Sequence, residues 1–321
     1  MSGYPLFDLS ALRLLPLARR RHDLRLEEIV LPLRPAPWEN EAFSACGLIM
    51  RQARESGAAR VLMFGAHVLR RGCQRYIIDL MERGLVSCLA AGGAGAIHDY
   101  EFARIGASTE SVAAYIKNGQ FGLWEETGGL NDVVRRGASE NLGAGEAIGR
   151  HIAAGGFPYA DLSVFASAWR LRIPVTVHVG IGYDIICEHP NYDGAAWGKT
   201  SHTDFLILAQ VFLGLEGGLV MNFGSAVMAP EVYLKALAMA RNLADQQGRR
   251  IARFTTLVCD LHDLPASVRE EAPKDSAAYY FRPWKTMLAR TVADGGASWY
   301  FRGDHARTLP ALWTAATQNV R

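Results

Sequence analysis

Val86-Ser87-Cys88-Leu89-Ala90-Ala91-Gly92-Gly93-Ala94-Gly95-Ala96-Ile97-His98-Asp99-Tyr100-Glu101 decides how the chain is read. Residues 86–91 are a mostly apolar run of strand length. Small residues and two free glycines close it, and polar side chains follow. That order predicts a buried parallel strand, a backbone-lined loop and a helix start. Bare amides in such a loop, beside the positive end of a helix, suit a phosphate. His98, Asp99 and Glu101 stand within reach of a ligand held there. A tight strand-to-helix turn without a ligand is the alternative reading.

The same grammar recurs on both sides. Phe43, Cys46, Met50 and Ala53 repeat at helical spacing from Glu39, and Gly57 stops that helix. A strand over 60–64 turns through Gly65-Ala66-His67 into a helix over 68–83. Downstream, Ser108 caps a short helix to Lys117, and 118–129 reads as a long Gly-rich surface loop around Phe121 and Trp124. Helices follow over 140–154 and 161–171, then a strand over 174–179 with Gly180, Gly182, Tyr183 and Asp184 after it. Residues 191–201 read as polar and irregular, and 204–215 as an apolar helix. A strand over 218–222 leads through Phe223-Gly224-Ser225-Ala226 to a helix with Pro230 in its first turn. Strands over 254–259 and 297–301 and a closing helix opened by Pro310 complete the chain. The expectation is a doubly wound α/β fold, a mostly parallel sheet with helices on both faces and its ligand at the carboxyl ends of the strands. Residues 1–40, punctuated by Pro32, Pro35 and Pro37, read as an extended arm, and 41–321 as a single domain.

Composition narrows the partners. The 321 residues are 50% hydrophobic and 21% charged, enough for one large core. A net charge of +2 does not support a nucleic-acid partner. Arg19-Arg20-Arg21 and Arg249-Arg250 read as solvated surface. The five cysteines show no paired spacing and read as reduced core residues. His178, His189, His202 and His305 lack metal-site spacing, so no metal is expected. No apolar run reaches membrane length and the N-terminus has no signal pattern, so the expected location is cytoplasmic, without a membrane partner. Gly93 and Gly95 supply only two glycines of a dinucleotide fingerprint.

From about residue 60 to 316 the motif order resembles the deoxyhypusine synthases. The stretches carrying the likeness are Ala66-His67, Gly93-Ala94-Gly95-Ala96-Ile97-His98-Asp99, Ile173-Pro174-Val175 with Gly182-Tyr183-Asp184-Ile185, Gly217-Gly218-Leu219-Val220, and Gly303-Asp304-His305 with Pro310. Asn222 and Phe223 stand where the family has histidines. The resemblance implies an NAD-binding transferase acting on a polyamine or other amine, as a homo-oligomer, dimer or tetramer. It implies NAD contacts at Ala66, His67, Gly93, Ala94, Gly95, Gly217, Gly218 and Asp304. It implies substrate contacts at Asp99, Asp184, His189, Asn222 and Trp284, with Asp99 in the place of the family's glutamate. By chain order the carrier lysine is Lys285, in Arg282-Pro283-Trp284-Lys285. The literal Trp197-Gly198-Lys199 makes Lys199 the alternative. Hydride loss from an amine carbon leaves an imine that a neutral lysine can intercept. Two rivals stay open: a small-molecule enzyme of the same fold without hydride transfer, and a non-catalytic NAD-binding regulator.

Overall fold

The computed structural model describes residues 3–37, 40–265 and 267–318. Six parallel strands form the sheet: β1 (Arg60–Phe64), β2 (Cys88–Gly92), β3 (Val175–His178), β4 (Leu219–Phe223), β5 (Thr255–Asp260) and β6 (Ala297–Arg302). Their order is β3-β2-β1-β4-β5-β6. The winding reverses between β1 and β4, whose ends are in register at Phe64 and Phe223. A sheet that reverses there leaves a crevice beyond the carboxyl ends of those two strands.

Alternation along β1 fixes the layers. Leu62 and Phe64 enter the core under α1 (Glu41–Ser56), α3 (Gln74–Glu82), α4 (Gly93–Ile105) and α11 (His305–Thr317). Val61 and Met63 enter the opposite core, under α9 (Gly194–Phe212) and α10 (Met228–Gln246). Every residue of β1 and β4 is buried, as strands covered on both faces require.

Several local expectations are corrected. The helix over 68–83 is broken into α2 (His67–Arg70) and α3, because Gly72 turns left-handed at φ +75° against the Ile29 carbonyl. No loop follows β2: α4 begins at Gly93, directly after Gly92. Ser108 pairs with Leu24 in a two-residue antiparallel ladder, and Ser111 caps the short α5 (Val112–Tyr115) instead. The stretch read as a loop over 118–129 buries Trp124 completely and turns into α6 (Glu125–Ser139). α7 (Ala144–Ala154) and α8 (Val164–Arg170) follow, and α9 starts within the segment read as irregular, capped by Asp193. α11 is capped by Asp304, so Pro310 lies inside that helix.

The described part of residues 1–40 is no free arm. It makes short turns against the domain, buries Leu17 and Leu26, and sends Arg20 inside. Trp38 and Glu39 lie outside the described residues. At the far side of the sheet, Asp204 on α9 is buried. Its Oδ2 accepts the amides of Val177 on β3 (2.8 Å) and Gly145 on α7 (3.0 Å). Among the described residues no helix is long and apolar enough to cross a membrane.

Candidate functional site

The crevice at the reversal is built from two turns in close contact. A Cβ on Gly65, after β1, would lie 2.3 Å from the Gly224 carbonyl oxygen, after β4. Gly224 is left-handed at φ +67°, and a Cβ there would meet His305 Nε2 at 2.3 Å. Only glycine fits either place. Asn222 holds the second turn: its Oδ1 accepts the Ser225 amide at 3.2 Å and its Nδ2 donates to the Ser225 carbonyl at 2.9 Å. Ser225 Oγ then accepts the Ala229 amide at the start of α10 (3.0 Å).

Charge converges on this edge. Arg71, just beyond α2, pairs with the Asp304 carboxylate at 2.9 Å and 3.0 Å, joining the end of α2 to the cap of α11. His305 is buried, its Nδ1 has no protein partner among the described residues, and burial lowers its pKa. Arg70 holds Nη1 3.3 Å from His67 Nε2, while its Nε is buried without a partner among the described residues. Burial first, then Arg70 and Arg71, lowers the pKa of His67. Arg70, which pairs with no carboxylate among the described residues, and the unpartnered His305 Nδ1 are groups an anionic ligand would engage. The residues present therefore fit the phosphates of a dinucleotide.

The turn after β2 is organised differently. The Asp184 carboxylate lies at the first turn of α4, accepting the amides of Gly180 (2.9 Å) and Ala94. Burial raises its pKa to about 6 against those bonds. Gly93 and Ala94 thus face a protein carboxylate at the helix start where the sequence placed a phosphate. Gly95 faces the sheet: a Cβ there would stand 3.0 Å from Ala91 Cβ and 3.6 Å from Phe64.

Of the other residues singled out in the sequence, Ala66, His67, Asn222 and Asp304 gather at the crevice. Gly217 and Gly218 do not. They precede β4 at the amino edge of the sheet, where a Cβ on Gly218 would strike the Ala59 carbonyl at 2.3 Å. Asp99 is buried and turned away, accepting the amides of Val164 and Phe165 at the start of α8 and the hydroxyl of Ser163. His189 is fully buried and bonded through Nε2 to the Gly122 carbonyl at 2.8 Å. Trp284 is wrapped in the crossover from β5 to β6, donating to the carbonyls of Val268 and Glu270. Lys199 Nζ donates to the Ala138 carbonyl (2.7 Å) and Asn141 Oδ1 (2.8 Å), closing the end of α6. Lys285 lies in a π-helical turn, Trp284–Ala289, with Nζ 4.1 Å from the Tyr279 ring centre. In that turn Met287 Sδ reaches Asn222 Nδ2 at 3.5 Å, at the carboxyl end of β4.

Sequence reading did not single out Gly65, Gly224, Ser225, Arg70, Arg71 and His305 as groups at the crevice. The repeated strand–glycine–helix grammar marked both turns, but only the strand order shows which pair meets.

No protein-family model matches the chain, and no curated protein matches it by sequence. Solved structures share its fold. The chain superposes on ArgZ, an arginine dihydrolase from the ornithine-ammonia cycle in cyanobacteria, with TM-score 0.50 and 16% identity over 87% of this chain and 33% of that one. It superposes on AgrE bound to L-arginine with TM-score 0.51 and 15% identity over 88% and 34% of the two chains. Unliganded AgrE gives 0.50 and 16% over 88% and 33%. The chain spans about a third of the length of these proteins. At such identity the likeness establishes the fold, a doubly wound α/β sheet, and the deoxyhypusine synthase resemblance is not what it shows.

Proposed function

We propose that the chain binds NAD in the crevice between β1 and β4 and uses it in an enzyme acting on a small amine. One observation carries this reading: the interlocked turns Gly65–His67 and Gly224–Ser225 at the reversal of a β3-β2-β1-β4-β5-β6 sheet. That is where an open parallel sheet receives a dinucleotide. The cofactor would supply hydride exchange. The chain's own share is to hold phosphates against Arg70 and His305, bring backbone close at the two glycines and keep the Arg71–Asp304 pair across the edge. The amine is the further step of the proposal: the proteins of like fold process or bind arginine, and the resemblance implies an amine substrate. In its finer form, an aminoalkyl transfer of the deoxyhypusine synthase kind, Lys285 is the carrier, since Lys199 is engaged at a helix end.

Calorimetric titration with NAD tests the binding. Affinity in the micromolar to millimolar range, roughly 4–8 kcal/mol, is expected. Ala66→Asp sets a carboxylate against the phosphates and should abolish the heat while the chain stays folded. Silence in the wild-type chain overturns the proposal.

A further inference from the structure

A buried chain of hydrogen bonds ends on the half-buried face of α4. Glu101 is fully enclosed and receives Arg20 through two bonds (2.8 and 2.7 Å) and Thr127 Oγ1 (2.6 Å). Ser108 Oγ lies 2.7 Å from Glu101 Oε2. Burial pushes the Glu101 carboxyl up, and the bonds from Arg20, Thr127 and Ser108 outweigh it and hold the group ionised. An ionised carboxylate only accepts, so the single Ser108 hydroxyl proton points to Glu101. The 2.6 Å contact from His98 Nδ1 to Ser108 Oγ must then be Nδ1–H donating. With the proton fixed on Nδ1, Nε2 carries a lone pair. Burial first, with Arg70, Arg20 and His67 acting in the same direction, lowers the imidazole to about 4 against the pull of Glu101. His98 is therefore neutral at physiological pH. Among the described residues Nε2 has no hydrogen-bond partner, and His98 keeps part of its surface exposed.

Its position gives this lone pair a use. His98 and Ala94, one turn apart, form the open stripe of the helix that follows β2, and α2 with His67 and Arg70 packs beside it. Asp99 and Glu101 of the same helix are turned inward. In doubly wound sheets the end of β2 is where a carboxylate receives a ribose hydroxyl of the dinucleotide. No residue of β2 or of the exposed stripe of α4 supplies one here, and the carboxylate that does stand at the end of β2, Asp184, is buried and taken by the amides of Gly180 and Ala94.

We infer that His98 Nε2 is the acceptor for a ribose hydroxyl of the dinucleotide, held in that tautomer by Ser108 and Glu101. This rests on the NAD reading above and extends it to the nucleoside half. A neutral acceptor beside Arg70 does not repel a phosphate on that hydroxyl, as a carboxylate does. The phosphorylated dinucleotide should therefore bind as readily as the plain one.

Two measurements on the full chain test this. Nitrogen NMR of the histidines should show His98 protonated on Nδ1 alone, with the Nε2 resonance moving when NADH is added. Fluorescence titration should give NADH and NADPH affinities within about threefold of each other. His98→Ala should weaken NADH about tenfold, the worth of one good hydrogen bond. His98→Glu should keep NADH and cost NADPH at least tenfold. Failure of the wild-type chain to bind either dinucleotide removes both this inference and the function. Binding with an unmoved Nε2, or equal affinities in wild type, His98→Ala and His98→Glu, removes the inference and leaves the function standing.

Discussion

A Cβ on Gly93 would lie 2.3 Å from Asp184 Oδ2, so the helix that follows β2 starts against a carboxylate of its own chain. The pair makes Gly93 a packing glycine. Gly93→Ala should destabilise the chain by about 1–3 kcal/mol in urea denaturation. Asp184→Ala in the same chain should relieve much of that loss, so the two changes are non-additive. Simple additivity would show that the carboxylate does not occupy the helix start.

Asp204 gives stability a pH dependence of known sign. Burial raises its folded pKa to about 7, far above the unfolded value of 3.8. The folded chain therefore holds the proton more tightly. Its contribution is complete below about pH 4 and is lost as pH rises through about 7. Asp204→Asn cannot ionise, so it should match wild type near pH 4 and exceed it by on the order of 4 kcal/mol near pH 8. Denaturation curves at the two pH values decide it, and an equal difference at both contradicts it.

Arg20 joins the first residues of the chain to the core. Arg20→Ala leaves Glu101 buried without its cation and should cost about 3–5 kcal/mol. Arg20→Lys should recover only part, because an ammonium cannot make the two parallel bonds. Thermal melting of the three proteins gives the ranking. A fully stable Arg20→Ala would mean that the segment before residue 40 is dispensable.

Lys285 and Lys199 differ in what they are free to do. Incubation with NAD and an amine, then borohydride, should leave an adduct on the peptide holding Lys285 if the transfer reading is right. Lys285→Arg should lose the adduct and keep NAD binding. Lys199→Met should keep the adduct and lower stability slightly through the lost bonds at the end of α6. An adduct on Lys199 reverses the assignment.

Much of the layering was legible because apolar runs of four to six residues, each ended by glycine or a small polar group, encode parallel strands directly. Phe64-Gly65, Ala91-Gly92 and Phe223-Gly224 all carry that mark. Local pattern could not rank them. The crevice depends on β1 lying beside β4, and no short-range feature of residues 60–65 or 219–224 records that adjacency. The stretch Cys88–Glu101 drew attention for its glycines, yet Asp184, ninety residues later, fills the space before α4. Gly217 and Gly218 looked equivalent to the glycines that follow strands, but they precede theirs. α6 was missed because Gly128 and Gly129 imitate a loop. In the fold Gly128 makes room for the buried ring of His189, with His189 Nδ1 2.4 Å from where its Cβ would stand.

The side chains of α9 also settle how the sheet ends. Asp204 takes the outward amide of Val177, while Ser201 accepts the Val179 amide and donates to the Val177 carbonyl. β3 is the outermost strand on that side, and an outermost strand normally offers unpaired main-chain groups to any passing strand. Here those positions are taken by a helix of the same chain. The sheet cannot be lengthened across β3 by a second molecule, so this flank is closed to edge-to-edge aggregation. Any association there must form through helical surfaces.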